Sequence, residues 1–360
     1  MPAGPWGSLH SFLIRTMTTR PLAVAVGATT VGTGIWMANA QQLSFGRNRV
    51  AHCASSGLSS TPHSRSVVTN VSNNKAPETA PSASTGNNNS TSSSKLSNNV
   101  IVLLAGSYMI PHPAKVDKGG EDAWFICETG RCMGVADGVG GWAEIGIDPG
   151  LYSRELMAHA KVKALETEPG SDMPQEILEY AHKKTLARGS STACVLCVDQ
   201  GVLHASNLGD SGFLVVRQGE LAFMSPQQQH EFNFPYQLGS ADSMADLPSA
   251  AQRFSIEVEI GDIVVAATDG VFDNVYPDEA AAMVSVAKKN GDSPEIAATL
   301  LAQFARTRAA DPTHLSPFAY GAQQLGYKFF GGKMDDITVV CAYIENSTGN
   351  AAPIVTIAEE

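Results

Sequence analysis

Acidic residues beside glycines recur along this chain, and carboxylate oxygens are the ligands that hard divalent cations such as Mg²⁺ and Mn²⁺ prefer. The four clusters are Glu121-Asp122, Asp137-Gly138-Val139-Gly140-Gly141, Asp269-Gly270 and Lys333-Met334-Asp335-Asp336. A two-metal centre needs several carboxylates from separate segments, with at least one shared by both ions. A glycine after an aspartate lets the backbone turn sharply, so that a main-chain carbonyl can coordinate beside the carboxylate. A single Asp-Gly pair is more often only a turn, so the clusters have to be considered together.

Each cluster adjoins a run of apolar residues that is typical of a buried strand. The runs cover 123–127, 133–136, 263–268 and 337–344. Carboxylates at the ends of neighbouring strands can meet in space, and the pattern therefore predicts one shared metal site.

Two further stretches complete an order of motifs between Asn99 and Asn346. One is Gly189-Ser190-Ser191-Thr192-Ala193, which leads into a strand pattern, and the other contains Gly209-Asp210-Ser211-Gly212. Together the motifs resemble the metal-dependent PP2C (PPM) family of protein serine/threonine phosphatases. Within it they resemble the PTC7-like branch, whose aspartate motif reads Asp-Gly-Val-Gly-Gly.

The resemblance implies a site with two Mn²⁺ or Mg²⁺ ions, and a weaker third ion in some family members. Asp137 is then the carboxylate that bridges both ions, and Asp335 takes the ligand position of a family motif whose next residue, Asn, is Asp336 here. Asp137 and Asp269 would be catalytic through the water that the ions activate. The metal ligands implied are Glu121, Asp137, the Gly138 carbonyl, Asp269 and Asp335, with Asp210 and Asp269 at the third ion.

Two positions depart from the family's better-known members. A His that is thought to protonate the leaving group is replaced by Val139, and an Arg four residues before the Glu is replaced by Asp117. Lys118 or Lys115 can supply positive charge to the phosphate, although a lysine offers a point charge and not a bidentate fork. His230 is a candidate for the missing acid, the alternative being a loop histidine packed among Phe232, Phe234 and Tyr236.

The function implied is hydrolysis of phosphoserine and phosphothreonine in proteins by metal-activated water, with no protein nucleophile. Haloacid-dehalogenase phosphatases share an Asp-Gly motif, but their nucleophile position holds Ala267 here. Two alternatives stay open: a pseudophosphatase or binding module, and a phosphatase of a small phosphorylated metabolite.

The composition of the first 98 residues differs from that of the rest of the chain. Residues 1–98 contain one acidic and seven basic residues, a net charge of +6, whereas residues 99–360 carry 34 acidic and 17 basic residues, a net charge of −17. Residues 54–98 are dominated by Ser, Asn, Thr and Pro, which are too polar to offset the entropy of ordering them. We therefore expect a presequence or membrane segment at 1–53, a disordered linker at 54–98, a phosphatase domain at 99–346 and a tail at 347–360.

The basic, acid-poor start is typical of an organelle presequence. We expect a mitochondrial address, with the chloroplast as the alternative. Residues 21–40 carry no charge, and 20 residues suffice to cross a bilayer, so membrane association through this segment is a second possibility.

The acidic domain disfavours nucleic acid as a partner, because phosphate backbones need clustered Lys and Arg. Because the domain is negatively charged, we do not expect long-range electrostatic attraction to bring phosphorylated proteins to it. We expect such substrates to be selected by local docking surfaces, and the domain to be a monomer.

The sequence contains six cysteines, and Cys194-Val195-Leu196-Cys197 has the spacing of a zinc motif. It lies in a strand pattern, and residues three apart on a strand point to opposite faces. Buried thiols are therefore expected here. Cys127 and Cys132 flank a predicted turn, where a reducing compartment disfavours a disulfide.

Strand and helix patterns alternate in a way that, with the resemblance, predicts an α+β fold: an αββα sandwich of two stacked antiparallel sheets flanked by helices. The runs 201–205, 213–217 and 220–224 predict a meander, and 254–260 and 263–267 predict a strand pair. Ser293-Pro294-Glu295 is a helix start. Other helices are predicted over 151–165, 173–186, 277–289 and 317–325.

Overall fold

The structure is a computed structural model that describes residues 100–347. The predictions for residues 1–98, and nearly all of the predicted tail at 347–360, lie outside this range. No helix among the described residues is both long and apolar enough to cross a membrane.

Fourteen strands and six α-helices make up the described part of the chain. The strands are β1 (Ile101–Ile110), β2 (Asp122–Ile126), β3 (Cys132–Asp137), β4 (Ser190–Ser191), β5 (Ala193–Asp199), β6 (Val202–Leu208), β7 (Gly212–Arg217), β8 (Glu220–Met224), β9 (Gln229–Glu231), β10 (Phe234–Pro235), β11 (Leu238–Gly239), β12 (Gln252–Glu257), β13 (Ile263–Ala267) and β14 (Ile337–Asn346). The helices are α1 (Pro149–Glu166), α2 (Met173–Lys184), α3 (Asp269–Phe272), α4 (Pro277–Asn290), α5 (Pro294–Ala309) and α6 (Pro317–Gln324). Short 3₁₀ turns lie at Val116–Lys118, Gly140–Ile145 and Pro248–Ala250.

Two five-stranded antiparallel sheets form the centre of the fold. The first has the strand order β1-β14-β13-β7-β8 and the second the order β12-β6-β5-β3-β2. Side chains that alternate along each strand fill the space between the sheets, among them Met133, Leu196, Phe213 and Val340. The opposite faces are covered by α4 and α5 on the first sheet and by α1 and α2 on the second. The predicted αββα sandwich is confirmed.

The predicted strand pairs were wrong at two places. β6 and β7 do not form part of one meander, because the chain passes from the second sheet to the first at Gly209-Asp210-Ser211. β12 and β13 likewise belong to different sheets, while the β7–β8 hairpin is confirmed. Hydrophobic alternation indicates a half-buried strand but not the sheet to which it belongs.

Helix starts follow the cap residues in the sequence. The side chains of Asp148, Ser293 and Ser316 accept hydrogen bonds from Gly150, Ile296 and Ala319 N–H groups. A proline follows each cap at the first helical position, where its missing N–H costs nothing. The helices therefore begin at or within two residues of the predicted positions.

The cysteines of the described residues are buried free thiols. Cys194 faces the core between the sheets, whereas Cys197 faces the helices, as expected for residues three apart on a strand. The two sulfurs therefore do not share an ion.

Candidate active site

Every residue in the predicted ligand set lies at one end of the sandwich, where strands of both sheets begin or end. Asp137 ends β3, Glu121 directly precedes β2, and Asp210 lies between β6 and β7. Asp269 follows β13 by two residues, and Asp335 precedes β14 by two. Because the sheets are antiparallel, these chain positions share one edge, and the fold brings together carboxylates that are far apart in sequence.

The loop that carries Asp137 is clamped by the polar motif at 189–193. The Asp137 N–H donates to Thr192 Oγ1 at 3.0 Å, and the Thr192 N–H donates to the Asp137 carbonyl at 2.9 Å. Gly138 N–H donates to the Glu121 carbonyl at 3.0 Å. A Cβ at Gly138 would lie 2.6 Å from that oxygen and 2.9 Å from the Pro149 carbonyl. Only glycine therefore fits where β2, β3 and α1 meet.

Asp336 acts as an anchor between segments. Its Oδ1 accepts from the His112 N–H at 2.6 Å, and its Oδ2 accepts from the Glu121 N–H at 3.1 Å and from Lys115 Nζ at 2.9 Å. The carboxylate is 1% exposed. With these donors it fixes the backbone next to Glu121, which leaves the neighbouring Asp335 as the carboxylate that faces the cluster.

Asp122 is a second buried support, and sequence reasoning did not assign it a role. It lies opposite Asp137 in the β2–β3 pair, and its Oδ2 accepts from the hydroxyls of Thr268 and Thr338 at 2.8 and 2.7 Å. Burial, and then the charge of Asp336, raise the pKa of Asp122. These contacts tie β2 of the second sheet to β13 and β14 of the first.

Asp273 and Lys333 were also missed. Asp273 follows Asp269 by one helical turn, a spacing that could have signalled a shared face. Lys333 Nζ lies 2.6 Å from Asp269 Oδ2, 2.7 Å from Asp273 Oδ2 and 3.3 Å from Asp335 Oδ2. One ammonium group thus contacts three carboxylates of the site.

The carboxylates differ in their electrostatic surroundings. Burial, and then other acidic side chains, raise the pKa of Asp137 and of Asp335. Burial raises the pKa of Asp273 to about 8, and burial with the Asp269 charge raises that of Asp210 to about 7. Burial alone would raise the pKa of Asp269 too, but the Lys333 ammonium holds it below its ordinary value. The cluster as a whole favours bound cations or protons.

Hard divalent cations fit this donor set. The side chains are oxygen donors, and Asp269 Oδ1 is buried without a hydrogen-bond partner among the described residues. As the side chains stand, no three acidic, His or Cys groups of residues 100–347 form a ready-made ion site. Lys115 and Lys333 contact the same oxygens that metal ions would use, so ions would have to displace these ammonium groups.

The two lysines proposed for the phosphate occupy different places. Lys118 ends the 3₁₀ turn and is exposed, with no ion pair among the described residues. Lys115 Nζ lies 2.7 Å from Glu121 Oε2 and 3.6 Å from Asp335 Oδ1. Burial would lower the pKa of Lys115, but Glu121 and then Asp336 hold it above its ordinary value. Of these two lysines, Lys115 is the one whose ammonium group directly contacts the carboxylate cluster.

The His230 ring contacts residues of its own loop, and these contacts disfavour a role in proton transfer. Its ring stacks on Tyr236 with centroids 3.8 Å apart, and Nε2 lies 3.0 Å from an Asp246 carboxylate oxygen. Phe234 also packs on the ring, whereas Phe232 points toward α6. These contacts favour the loop-packing alternative over the acid.

Comparisons with known proteins agree with this architecture. A scan against family models gave no match. The Xenopus laevis protein phosphatase PTC7 homolog is 40% identical over 246 residues, which cover 64% of this chain and 82% of that protein. The chain belongs to the PP2C family of protein phosphatases. The PTC7 homolog indicates the PTC7-like branch of that family.

Two other similar proteins show how far the likeness extends. The Arabidopsis thaliana probable protein phosphatase 2C 80 is 51% identical over 246 residues, or 68% of this chain, which spans only 59% of that relative's length. The crystal structure of the photosystem II phosphatase PBCP is 36% identical with a TM-score of 0.62, and the match covers 68% of this chain and 99% of that one. The likeness thus covers about two thirds of this chain.

Proposed function

We propose that this PP2C domain is a metal-dependent phosphatase that hydrolyses phosphoserine and phosphothreonine in proteins. The observation that supports the proposal best is the convergence of carboxylates from both sheets at one accessible end of the sandwich. Crowded like charges destabilise a fold unless cations compensate them. A site with more carboxylates than ammonium groups is therefore suited to divalent cations.

Each ligand has a proposed role in this site. Asp137, the Gly138 carbonyl, Glu121, Asp269 and Asp335 would hold two ions, with Asp137 as the ligand shared by both. Asp210, Asp269 and Asp273 would supply oxygens to a third ion. When bound, Mn²⁺ or Mg²⁺ lowers the pKa of a coordinated water and neutralises phosphate charge.

The chain's own residues orient these ligands and the substrate. Thr192 fixes the Asp137 loop, and Asp336 fixes the backbone of Glu121. Lys115 is 27% exposed, so its ammonium group can turn from Glu121 to a substrate phosphate. We propose Lys115 for this contact, with Lys118 as the second candidate.

Activity measurements with metal controls test the proposal. The full chain should release phosphate from phosphoserine and phosphothreonine peptides with Mn²⁺ or Mg²⁺ and not with EDTA. Lys115→Met should raise KM for these peptides more than Lys118→Met does. A chain that binds Mn²⁺ but hydrolyses neither peptides nor p-nitrophenyl phosphate would instead be a pseudophosphatase, the alternative that Val139 favours. Preference for small phosphorylated metabolites over phosphopeptides would indicate a metabolite phosphatase, the other alternative that the sequence leaves open.

We further propose that residues 1–98 direct the chain to an organelle. Their basic, acid-poor composition supports a mitochondrial presequence, and the likeness to a photosystem II phosphatase supports the chloroplast. A reporter fused to residues 1–60 should enter one of these organelles, and alkaline extraction would show whether residues 21–40 hold it in the membrane. A reporter that stays cytosolic would contradict the proposed address.

A further inference from the structure

A group of aromatic side chains lies beside the carboxylate cluster and has no part in the metal chemistry. Phe232 comes from the turn between β9 and β10, Phe318 from α6, and Tyr327 and Phe329 from the loop after α6. Ring centroids are 5.0 Å apart for Phe232 and Phe318, 5.6 Å for Phe232 and Tyr327, and 4.8 Å for Phe318 and Phe329. We call these four residues the aromatic surface.

Two contacts join the aromatic surface to the site through Phe318. The Phe318 N–H donates to the Asp273 carbonyl at 3.1 Å. Lys333 Nζ lies 5.1 Å from the centre of the Phe318 ring and only 2.6 Å from Asp269 Oδ2. A single ammonium group therefore contacts both the aromatic surface and the carboxylates.

The β9–β10 hairpin joins the surface to the site a second time. At its base, Gln229 Nε2 donates to Asp210 Oδ2 at 2.9 Å. At its tip, Phe232 packs on Phe318 and faces Gly321 of α6, where a Cβ would lie 3.5 Å from the ring. The hairpin and α6 thus form one continuous wall that starts at the acidic cluster.

This wall leaves much apolar area in water. Tyr327 is 59% exposed, and Leu325 and Phe330 beside it are 62% and 72% exposed. Contiguous exposed apolar side chains often mark a binding site. Here the position favours one occupant, because a peptide whose phosphate lies at the carboxylates can extend along a wall that contacts Asp210 and Lys333.

We infer that the aromatic surface binds bulky apolar side chains that flank the phosphorylated residue of a protein substrate, an inference that rests on the proposed phosphatase function. An extended peptide advances about 3.3 Å per residue. Residues two to four positions from the phosphosite therefore lie about 7–13 Å away. The path from Asp269 through Lys333 to the Phe318 ring consists of steps of 2.6 Å and 5.1 Å, which is comparable with the lower end of that range. Recognition of apolar substrate side chains also suits residues 99–360. Their net charge of −17 repels substrates that carry acidic residues next to the phosphorylated one.

The test compares two phosphothreonine peptides with the full chain and Mn²⁺. One carries Leu and Phe two to four residues from the phosphothreonine, and the other carries Ser at those positions. A capped phosphothreonine amide has no flanks and reports on the metal centre alone. The wild type should favour the apolar peptide about tenfold in kcat/KM, mainly through KM.

Tyr327→Ser should reduce this preference about fivefold, while turnover of the capped amide stays unchanged. Tyr327→Phe keeps the ring and should keep the preference. Tyr180→Ser on α2 removes a partly exposed tyrosine outside the aromatic surface and should have no effect. Equal kcat/KM for both peptides, or a preference that Tyr327→Ser leaves intact, would overturn the inference about the aromatic surface. Neither result would contradict the proposed phosphatase function. Absence of hydrolysis of all three substrates would overturn the phosphatase function and this inference with it.

Discussion

Asp137 and Asp269 belong to one cluster of carboxylates but have opposite surroundings before metal ions bind. Asp269 is paired with Lys333 at 2.6 Å, which lowers its pKa, whereas burial and other carboxylates raise the pKa of Asp137. The same substitution should therefore have opposite effects on stability at the two positions.

We expect Asp137→Asn and Asp269→Asn each to lower phosphate release by on the order of 10³-fold or more, because each removes charge that holds the ions. In EDTA, Asp137→Asn should raise the free energy of unfolding, since it relieves repulsion. Asp269→Asn should lower it, because it removes one of the three carboxylates that pair with the Lys333 ammonium group. Urea unfolding measures both, and stabilisation by both substitutions would contradict the Lys333 pairing.

The pH dependence of the metal-free domain follows from Asp210 and Asp273. Their pKa values are raised to about 7 and about 8, from about 3.9 in an unfolded chain. Between these limits the folded state binds more protons than the unfolded chain, so the free energy of unfolding falls as the pH rises from about 4 to about 8. In EDTA the unfolding midpoint should be lower at about pH 8.5 than at about pH 6. Asp273→Asn should flatten the profile, and a midpoint that rises with pH would refute this account.

At the scale of elements, the polar motif at 189–193 positions the loop that carries Asp137. Thr192 Oγ1 accepts from the Asp137 N–H and lies 2.7 Å from Ser211 Oγ, so one hydroxyl links β3, β5 and the segment before β7. Thr192→Val keeps the shape but leaves the Asp137 N–H without a partner. We expect a loss of about 1–3 kcal/mol in stability and weaker Mn²⁺ binding by calorimetry.

Thr185→Val is the matched control for that prediction. Thr185 is buried and its hydroxyl donates to the Ala181 carbonyl, which also accepts from the Thr185 N–H and so keeps a partner. Its Mn²⁺ affinity should equal that of the wild type. Equal Mn²⁺ affinity in Thr192→Val would show that the clamp is not needed to position Asp137.

The sequence was sufficient to predict most of the longer helices and strands, because caps and hydrophobic alternation are local signals, but the short helix α3 that carries Asp269 was not predicted. Ser293 with Pro294, and Ser316 with Pro317, begin helices as predicted. The crossings between sheets at 209–211 and 258–262 were not predictable in this way, since a half-buried strand looks the same in either sheet. The spacing of Asp269 and Asp273 is a local signal, but the contact of Lys333 with Asp273 joins segments 60 residues apart and no local pattern reveals it.

At the scale of the whole domain, the proposed ligands come from both sheets. Asp137 ends a strand of the second sheet and Glu121 directly precedes another, while Asp269 and Asp335 adjoin strands of the first. Cations shared by these groups would therefore hold the two sheets together at the one end where carboxylates repel each other. Metal binding should stabilise the sandwich as a unit.

Titration of the full chain with Mn²⁺ should accordingly raise the unfolding temperature in one cooperative transition. A ligand that binds only the folded state adds about 2.7 kcal/mol at a concentration 100 times its Kd. Asp137→Asn, which lacks the carboxylate proposed to bridge the ions, should begin at a higher unfolding temperature in EDTA and gain little from Mn²⁺, so the two titration curves should cross. Mn²⁺ should likewise protect backbone amides of β3 and β13 together from hydrogen exchange in the wild type. Protection confined to one sheet, or an equal Mn²⁺ response in Asp137→Asn, would show that the ions do not bridge the sheets through Asp137.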